Sequence, residues 1–140
     1  MDYLNVNWLA VLLAMIASMA LGAAWYMILS RQWIAATGKT TEQIMSGSGG
    51  QATPFIWGAV MQLVMAYFLA LFTPALMGEV TVASAVVVGI HVWAGFMLTS
   101  MILNHRYPGS SWSLAVLDGG CALGGWVVRG GVAGPLGEAL

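Results

Sequence analysis

Four polar or ionisable side chains interrupt long apolar stretches of this sequence: Gln62, His91, Asp118 and Arg129. Ionisable groups are costly inside a bilayer, so each is a functional candidate on chemistry alone. Asp118 is the sharpest. A carboxylate there either braces a connection by accepting hydrogen bonds from Ser111, Ser113 or a tryptophan, or serves as a protonatable site or ligand contact. His91, near the middle of its stretch, reads as a hydrogen-bonded packing residue or a proton carrier. Gln62 reads as an interhelical hydrogen-bond link. Arg129 follows Asp118 by eleven residues. That spacing puts both on nearly one helix face but about 16 Å apart along the axis, which excludes a direct salt bridge. Arg129 is therefore expected to reach outward to lipid headgroups.

Helix rise sets the depths of these groups below the ends assigned to the cytoplasm. Asp118 falls roughly 8 Å in, Gln62 roughly 12 Å, His91 roughly 18 Å and Arg129 roughly 24 Å. Ser18 falls near the level of His91, and Thr99 near that of Asp118. If their faces converge, Asp118, His91, Gln62, Thr99 and Ser18 form a polar ladder, a candidate pathway or ligand-binding line.

Other chemistries find little support. His91 and His105 stand at different depths on one predicted helix and cannot both ligate one haem. There is no CxxC, no HExxH and no paired carboxylate, so no metal or cofactor is expected. No nucleophile–base–acid set is visible, and the reading leans away from an enzyme. Gly47-Ser48-Gly49-Gly50 lacks the following Lys-Ser or Lys-Thr of a phosphate loop and reads as a flexible linker. Cys121, the single cysteine, cannot form an internal disulfide and reads as packing.

The elements that position these groups follow from composition. The 140 residues are 60% hydrophobic and 6% charged, with a formal charge of -1. Nine charges cannot cover the surface of a soluble domain, and they supply no basic patch for nucleic acid. The chain reads as one integral membrane domain, residues 1–140. Four apolar stretches run over about 8–29, 54–72, 82–103 and 113–132. Each holds roughly 20 residues, enough to cross a ~30 Å hydrocarbon core as a helix. The expected fold is an all-α, four-helix antiparallel membrane bundle.

Punctuation supports the boundaries. Pro54 fits a first helical turn, Pro74 and Gly78 an end, Pro108-Gly109 a turn, and Pro135 with Gly137 the end of the ordered part. The first stretch follows Asp2 with no basic residue before Arg31, so it reads as a retained span rather than a cleaved leader. The connection over 30–53 holds Arg31 and Lys39. In it, Thr40 and Gln43 resemble a capping box, and Trp33, Ile34 and Ile44 suit the lipid interface. The second connection carries Glu79 and no basic residue, and the third carries His105 and Arg106. The positive-inside rule then places connections one and three in the cytoplasm and both termini outside.

Small residues recur at every fourth position in each stretch, which lets helices approach closely in lipid. The packing candidates are Ala14 and Gly22, Gly58, Gly95, and Gly120 with Gly124. Trp8, Trp25, Tyr26, Trp33 and Trp112, with Trp57 and Tyr107, fit interfacial belts. Trp93 and Trp126 lie deeper and would pack between helices or line a cavity.

Asn7-Trp8 with Ala10-Val11, then Gly22, Trp25-Tyr26 and Trp33, resembles a bacterial family of small membrane proteins catalogued as domain of unknown function 1761. Trp93-x-Gly95-Phe96 and Asp118-Gly119-Gly120 look similar too. The resemblance runs from about Asn5 to Val132. Family members often carry Ser-Pro after Trp-Tyr, where this chain has Met27-Ile28. The resemblance implies a four-helix domain in the bacterial inner (cytoplasmic) membrane and supplies no activity. Physically, Trp25 and Tyr26 would end the first helix at the inner headgroups, with Trp33 folding back on them.

Three functions are weighed. The first is transport or permeation of a small solute or proton along the polar ladder. The second is a structural or accessory subunit that meets a larger membrane partner through its glycine rows. The third is a lipid-acting enzyme, for which there are too few acids and bases. The partners expected are the lipid bilayer and either a second copy or another membrane protein, with no nucleic acid.

Overall fold

In the computed structural model, the described residues are 6–40, 42–43, 53–106 and 108–138. Ile44, the linker Gly47 to Gly50 and Tyr107 lie outside them. The described residues form five helices and no strand. Helix α1 spans Trp8–Ile28 and α2 Ser30–Thr37. Helix α3 spans Thr53–Met77. Helix α4, Val82–Arg106, runs as an α-helix to Val92, widens to π geometry over Trp93–Leu98, and resumes as an α-helix at Thr99. Helix α5 spans Trp112–Glu138.

Local chemistry explains the helix ends. The Asn7 side chain accepts from the Ala10 N–H at 3.2 Å and starts α1. Thr81 and Ser84 form a reciprocal capping box at the start of α4. The expected capping pair is also present: the Thr40 N–H donates to Gln43 at 3.0 Å and the Gln43 N–H to Thr40 at 3.2 Å. Gly38 ends α2 at φ +70°, in the left-handed region that glycine enters without cost.

Of the expected end markers, Gly78 stops its helix, whereas neither Pro74 nor Pro135 does. Helix α3 runs through Pro74 to Met77, and α5 runs through Pro135 to Glu138. A proline forgoes only one bond to the fourth carbonyl back, a loss that membrane helices tolerate. Helix α3 stops at the expected Gly78, which adopts φ +76° and whose N–H closes on the Pro74 carbonyl at 2.9 Å.

Helix α5 packs chiefly against α4 and α1, and α3 packs against α1 and α4 on the far side. One small core joins Val11, Ala14 and Ala66 across α1 and α3. A second joins Leu69, Val88 and Trp126 across α3, α4 and α5. Helices α4 and α5 cross at glycines. A Cβ on Gly130 would lie 2.8 Å from the Val86 nitrogen, and one on Gly89 would lie 3.2 Å from the Trp126 carbonyl oxygen.

The outer surface is apolar, unlike that of a soluble protein. Ser18, Thr73, Ser84 and Arg129 are buried, while Leu9, Ile16, Met27, Ile28, Phe55, Ile56 and Phe96 face outward. An apolar perimeter of this extent belongs in lipid. Three helical segments are long and apolar enough to cross a membrane: Trp8–Ile28, Phe55–Met77 and Val82–Arg106. For the described residues the structure thus bears out the all-α, membrane-type reading, and three of the four expected stretches form such helices.

Candidate functional site

Asp118 lies in the second turn of α5, where three other helices reach it. The Tyr26 hydroxyl, near the end of α1, donates to its Oδ1 at 2.8 Å. The Trp33 indole, on α2, donates to the same oxygen at 3.0 Å. His105 Nε2, from the last turn of α4, stands 3.5 Å from Oδ2. Two more indoles bind the backbone on either side. Trp25 donates to the Leu117 carbonyl at 3.2 Å and Trp93 to the Gly119 carbonyl at 2.9 Å. The next glycine makes room for this seating: a Cβ on Gly120 would lie 3.1 Å from the Trp25 ring. Trp33 does fold back, and meets Tyr26 edge-on with centroids 5.8 Å apart. Ser111 and Ser113 are not the donors. Ser111 donates instead to the Ala36 carbonyl at 2.8 Å and ties α2 to the start of α5.

Arg129 overturns the expectation that it reaches for headgroups. It is 1% exposed. Its Nη1 donates to Gln62 Oε1 on α3, and its Nη2 lies 3.9 Å from the Met65 sulfur. The guanidinium carbon sits 4.6 Å over the Trp126 ring. Its Nε is buried with no hydrogen-bond partner, as is His105 Nδ1. Among the described residues no carboxylate lies within ion-pair distance of Arg129. Gly125, one turn earlier, lies beside the guanidinium, and a Cβ there would stand 3.4 Å from Nη2.

Both ends open on one cavity of about 450 Å³ between the four long helices. Its walls include Ser18 and Gly22 of α1, Gln62 and Met65 of α3, Met97, Met101, Asn104 and His105 of α4, and Asp118, Cys121 and Arg129 of α5. The volume is that of a small-molecule pocket. Helix rise separates the levels of Asp118 and Arg129 by about 16 Å. At that distance unit charges attract by only ~1 kcal/mol at an effective dielectric of 20, against about 4 kcal/mol for a contact pair. The two charges therefore act as separate sites. Asp118 is met by three polar groups, while Arg129 has one neutral amide, a thioether and an aromatic face. Among the described residues no three His, Cys, Asp or Glu side chains group as metal ligands.

The structure brings Asp118, Gln62 and Ser18 together on this cavity, with Ser18 donating to the Gly125 carbonyl at 3.4 Å. His91 and Thr99 lie elsewhere, exposed on α4 and bonded to their own backbone at the Val87 and Gly95 carbonyls. Of the packing candidates, Ala14 is buried in the α1–α3 core and Gly58 meets Met19. Gly120 lies under Trp25, and a Cβ on Gly124 would lie 3.0 Å from Leu21. Gly22 lines the cavity and Gly95 is exposed, with nothing within 4 Å of either added Cβ. Trp8 is exposed and stacked on Tyr67, and Trp112 is exposed beneath Arg106. Trp25, Tyr26 and Trp33 turn inward to α5. Sequence reasoning did not select His105, Met97, Met101, Cys121 or an inward Arg129. The eleven-residue spacing from Asp118 was the available signal, since an inward Asp118 carries Arg129 inward on the same face.

These features define a membrane-type protein, helical throughout its described elements, with a largely apolar cavity that carries a few polar groups between its helices. Residues 9–134 match the family model described as Protein of unknown function (DUF1761), and the chain belongs to that family. Neither a curated protein nor a solved structure matches it.

Proposed function

We propose that this protein is a four-span antiparallel bundle of the bacterial inner membrane whose central cavity binds a small solute and passes it across the bilayer. The carrying observation is the cavity of about 450 Å³, walled by all four long helices and lined by Ser18, Gln62 and Asp118. Helix α5 is the fourth span in this reading. Its 27 residues reach about 40 Å. Asp118 and Arg129 lower its hydropathy, yet both face the cavity rather than lipid. Connections one and three face the cytoplasm, where Arg31, Lys39 and Arg106 suit the positive-inside rule.

Reconstitution tests this. Proteoliposomes should take up at least one solute of a broad panel faster than empty vesicles. Asp118→Asn should slow that uptake while leaving helix content unchanged. Uptake indistinguishable from empty vesicles across the panel would refute transport.

One observation favours a second reading, a structural or accessory subunit of a larger membrane complex. His91, Gly95 and Thr99 form an exposed row on α4, and Gly95 has open space beside it. A small-residue row facing lipid is where another helix can approach closely. Native mass spectrometry from mild detergent should then show a stoichiometric foreign subunit, lost on Gly95→Leu. A lone monomer under the same conditions would sink it.

A further inference from the structure

We infer that the Arg129 end of the cavity is a binding site for an organic anion, an oxyanion head on a short apolar body. The inference rests on the reading of the cavity as a solute site and names the chemistry that site selects. Arg129 is 1% exposed, has no carboxylate partner among the described residues, and keeps its Nε unsatisfied. An uncompensated guanidinium at this depth is the group that gains most from an anion. A planar fork suits a carboxylate or phosphate oxygen pair, and Gln62 already holds one side of the fork in place. The Trp126 face steadies the guanidinium from behind.

The rest of the cavity sets the body of the ligand. Met65, Met97, Met101 and Ala122 give its walls an apolar, adaptable stretch. Asp118 closes the other end. Its Oδ1 is taken by Tyr26 and Trp33, and its Oδ2 faces His105. Asp118 thus already has two hydrogen-bond donors on one oxygen, whereas Arg129 has no carboxylate neighbour among the described residues and a buried Nε without a partner. The head can belong to a free organic acid or to an anionic lipid, and the chemistry at Arg129 is the same.

Binding to the full-length protein in mild detergent tests this with hexanoate, hexylammonium and 1-hexanol, read by tryptophan fluorescence and by native mass spectrometry. Hexanoate should bind at least about tenfold more tightly than the other two, the scale of a charge-assisted pair. Gln62→Glu would place a carboxylate against Arg129 and satisfy it internally. This variant should keep its helix content and lose hexanoate binding about tenfold or more. Arg129→Gln should lose it equally, and Arg129→Lys should fall between. A co-purified anionic lipid displaced by hexanoate supports the same site with lipid as its source. Hexylammonium or hexanol binding as well as hexanoate would overturn the anion assignment while leaving the cavity reading intact. So would hexanoate binding that Gln62→Glu does not change. Failure of all three probes, together with no uptake in proteoliposomes, would overturn both.

Discussion

Replacing Asp118 by alanine should destabilise the fold far more than replacing it by asparagine. Alanine removes the acceptor of two direct hydrogen bonds, from Tyr26 at 2.8 Å and Trp33 at 3.0 Å, and leaves His105 facing nothing. Side-chain hydrogen bonds between membrane helices average about 0.6 kcal/mol and reach about 1.7 kcal/mol. Two such bonds give a cost of roughly 1–3.5 kcal/mol. A freed donor left buried adds to that, so about 2–4 kcal/mol is expected for Asp118→Ala. Asparagine keeps an oxygen for both donors and should cost less than about 1 kcal/mol. The assay is reversible unfolding in mixed dodecyl maltoside and dodecyl sulfate micelles, followed by circular dichroism. A double-mutant cycle with Tyr26→Phe apportions the network, and coupling of about 0.6–1.7 kcal/mol is expected. Equal losses for alanine and asparagine, or additive effects of Asp118→Ala and Tyr26→Phe, would refute the brace.

In the same unfolding assay, Gly130→Ala should lose about 1–3 kcal/mol, because its Cβ would press on the Val86 backbone of α4. Gly95→Ala, with nothing within 4 Å, should stay within about 0.5 kcal/mol of wild type. Thr81→Ala should cost about 1 kcal/mol by opening the α4 capping box. Arg129→Met should be neutral or stabilising, since it removes a buried charge that no anion compensates. A loss above about 2 kcal/mol there would mean that the Gln62 and Trp126 contacts outweigh desolvation.

Much of the fold was legible because its causes are local. Helix α1 begins at Trp8 because Asn7 caps it, and both residues are visible in the sequence. The end of α3 at Gly78 was legible too, but the prolines of α3 and α5 were misleading. Proline is a stop signal in water, but a membrane helix has no better place to satisfy its backbone, and both helices continue through it. The candidate site was half legible. Asp118, Gln62 and Ser18 meet on one cavity, whereas His91 and Thr99, equally polar on paper, lie exposed on α4. Periodicity gives relative faces along one helix and says nothing of how that helix is rotated against its neighbours. The π turn over Trp93–Leu98 adds to this, since it changes the phase of everything after it.

The sequence by itself determined the solvent and the building material. Nine charges in 140 residues and stretches of about 20 apolar residues allow only helices meant for lipid. It also determined that Asp118 and Arg129 share a face at separate depths, because helical rise and twist are constants of the backbone. Tertiary structure alone decided which face turns inward. It brought Tyr26, Trp33 and His105, from three different helices, onto one carboxylate. It also enclosed Arg129 beside Gln62 and Trp126 instead of releasing it to the headgroups. Those outcomes depend on how four surfaces fit together, with Gly89 and Gly130 leaving the room that lets α4 and α5 close. Such fit is a property of the packed helices jointly and is not written in any one of them.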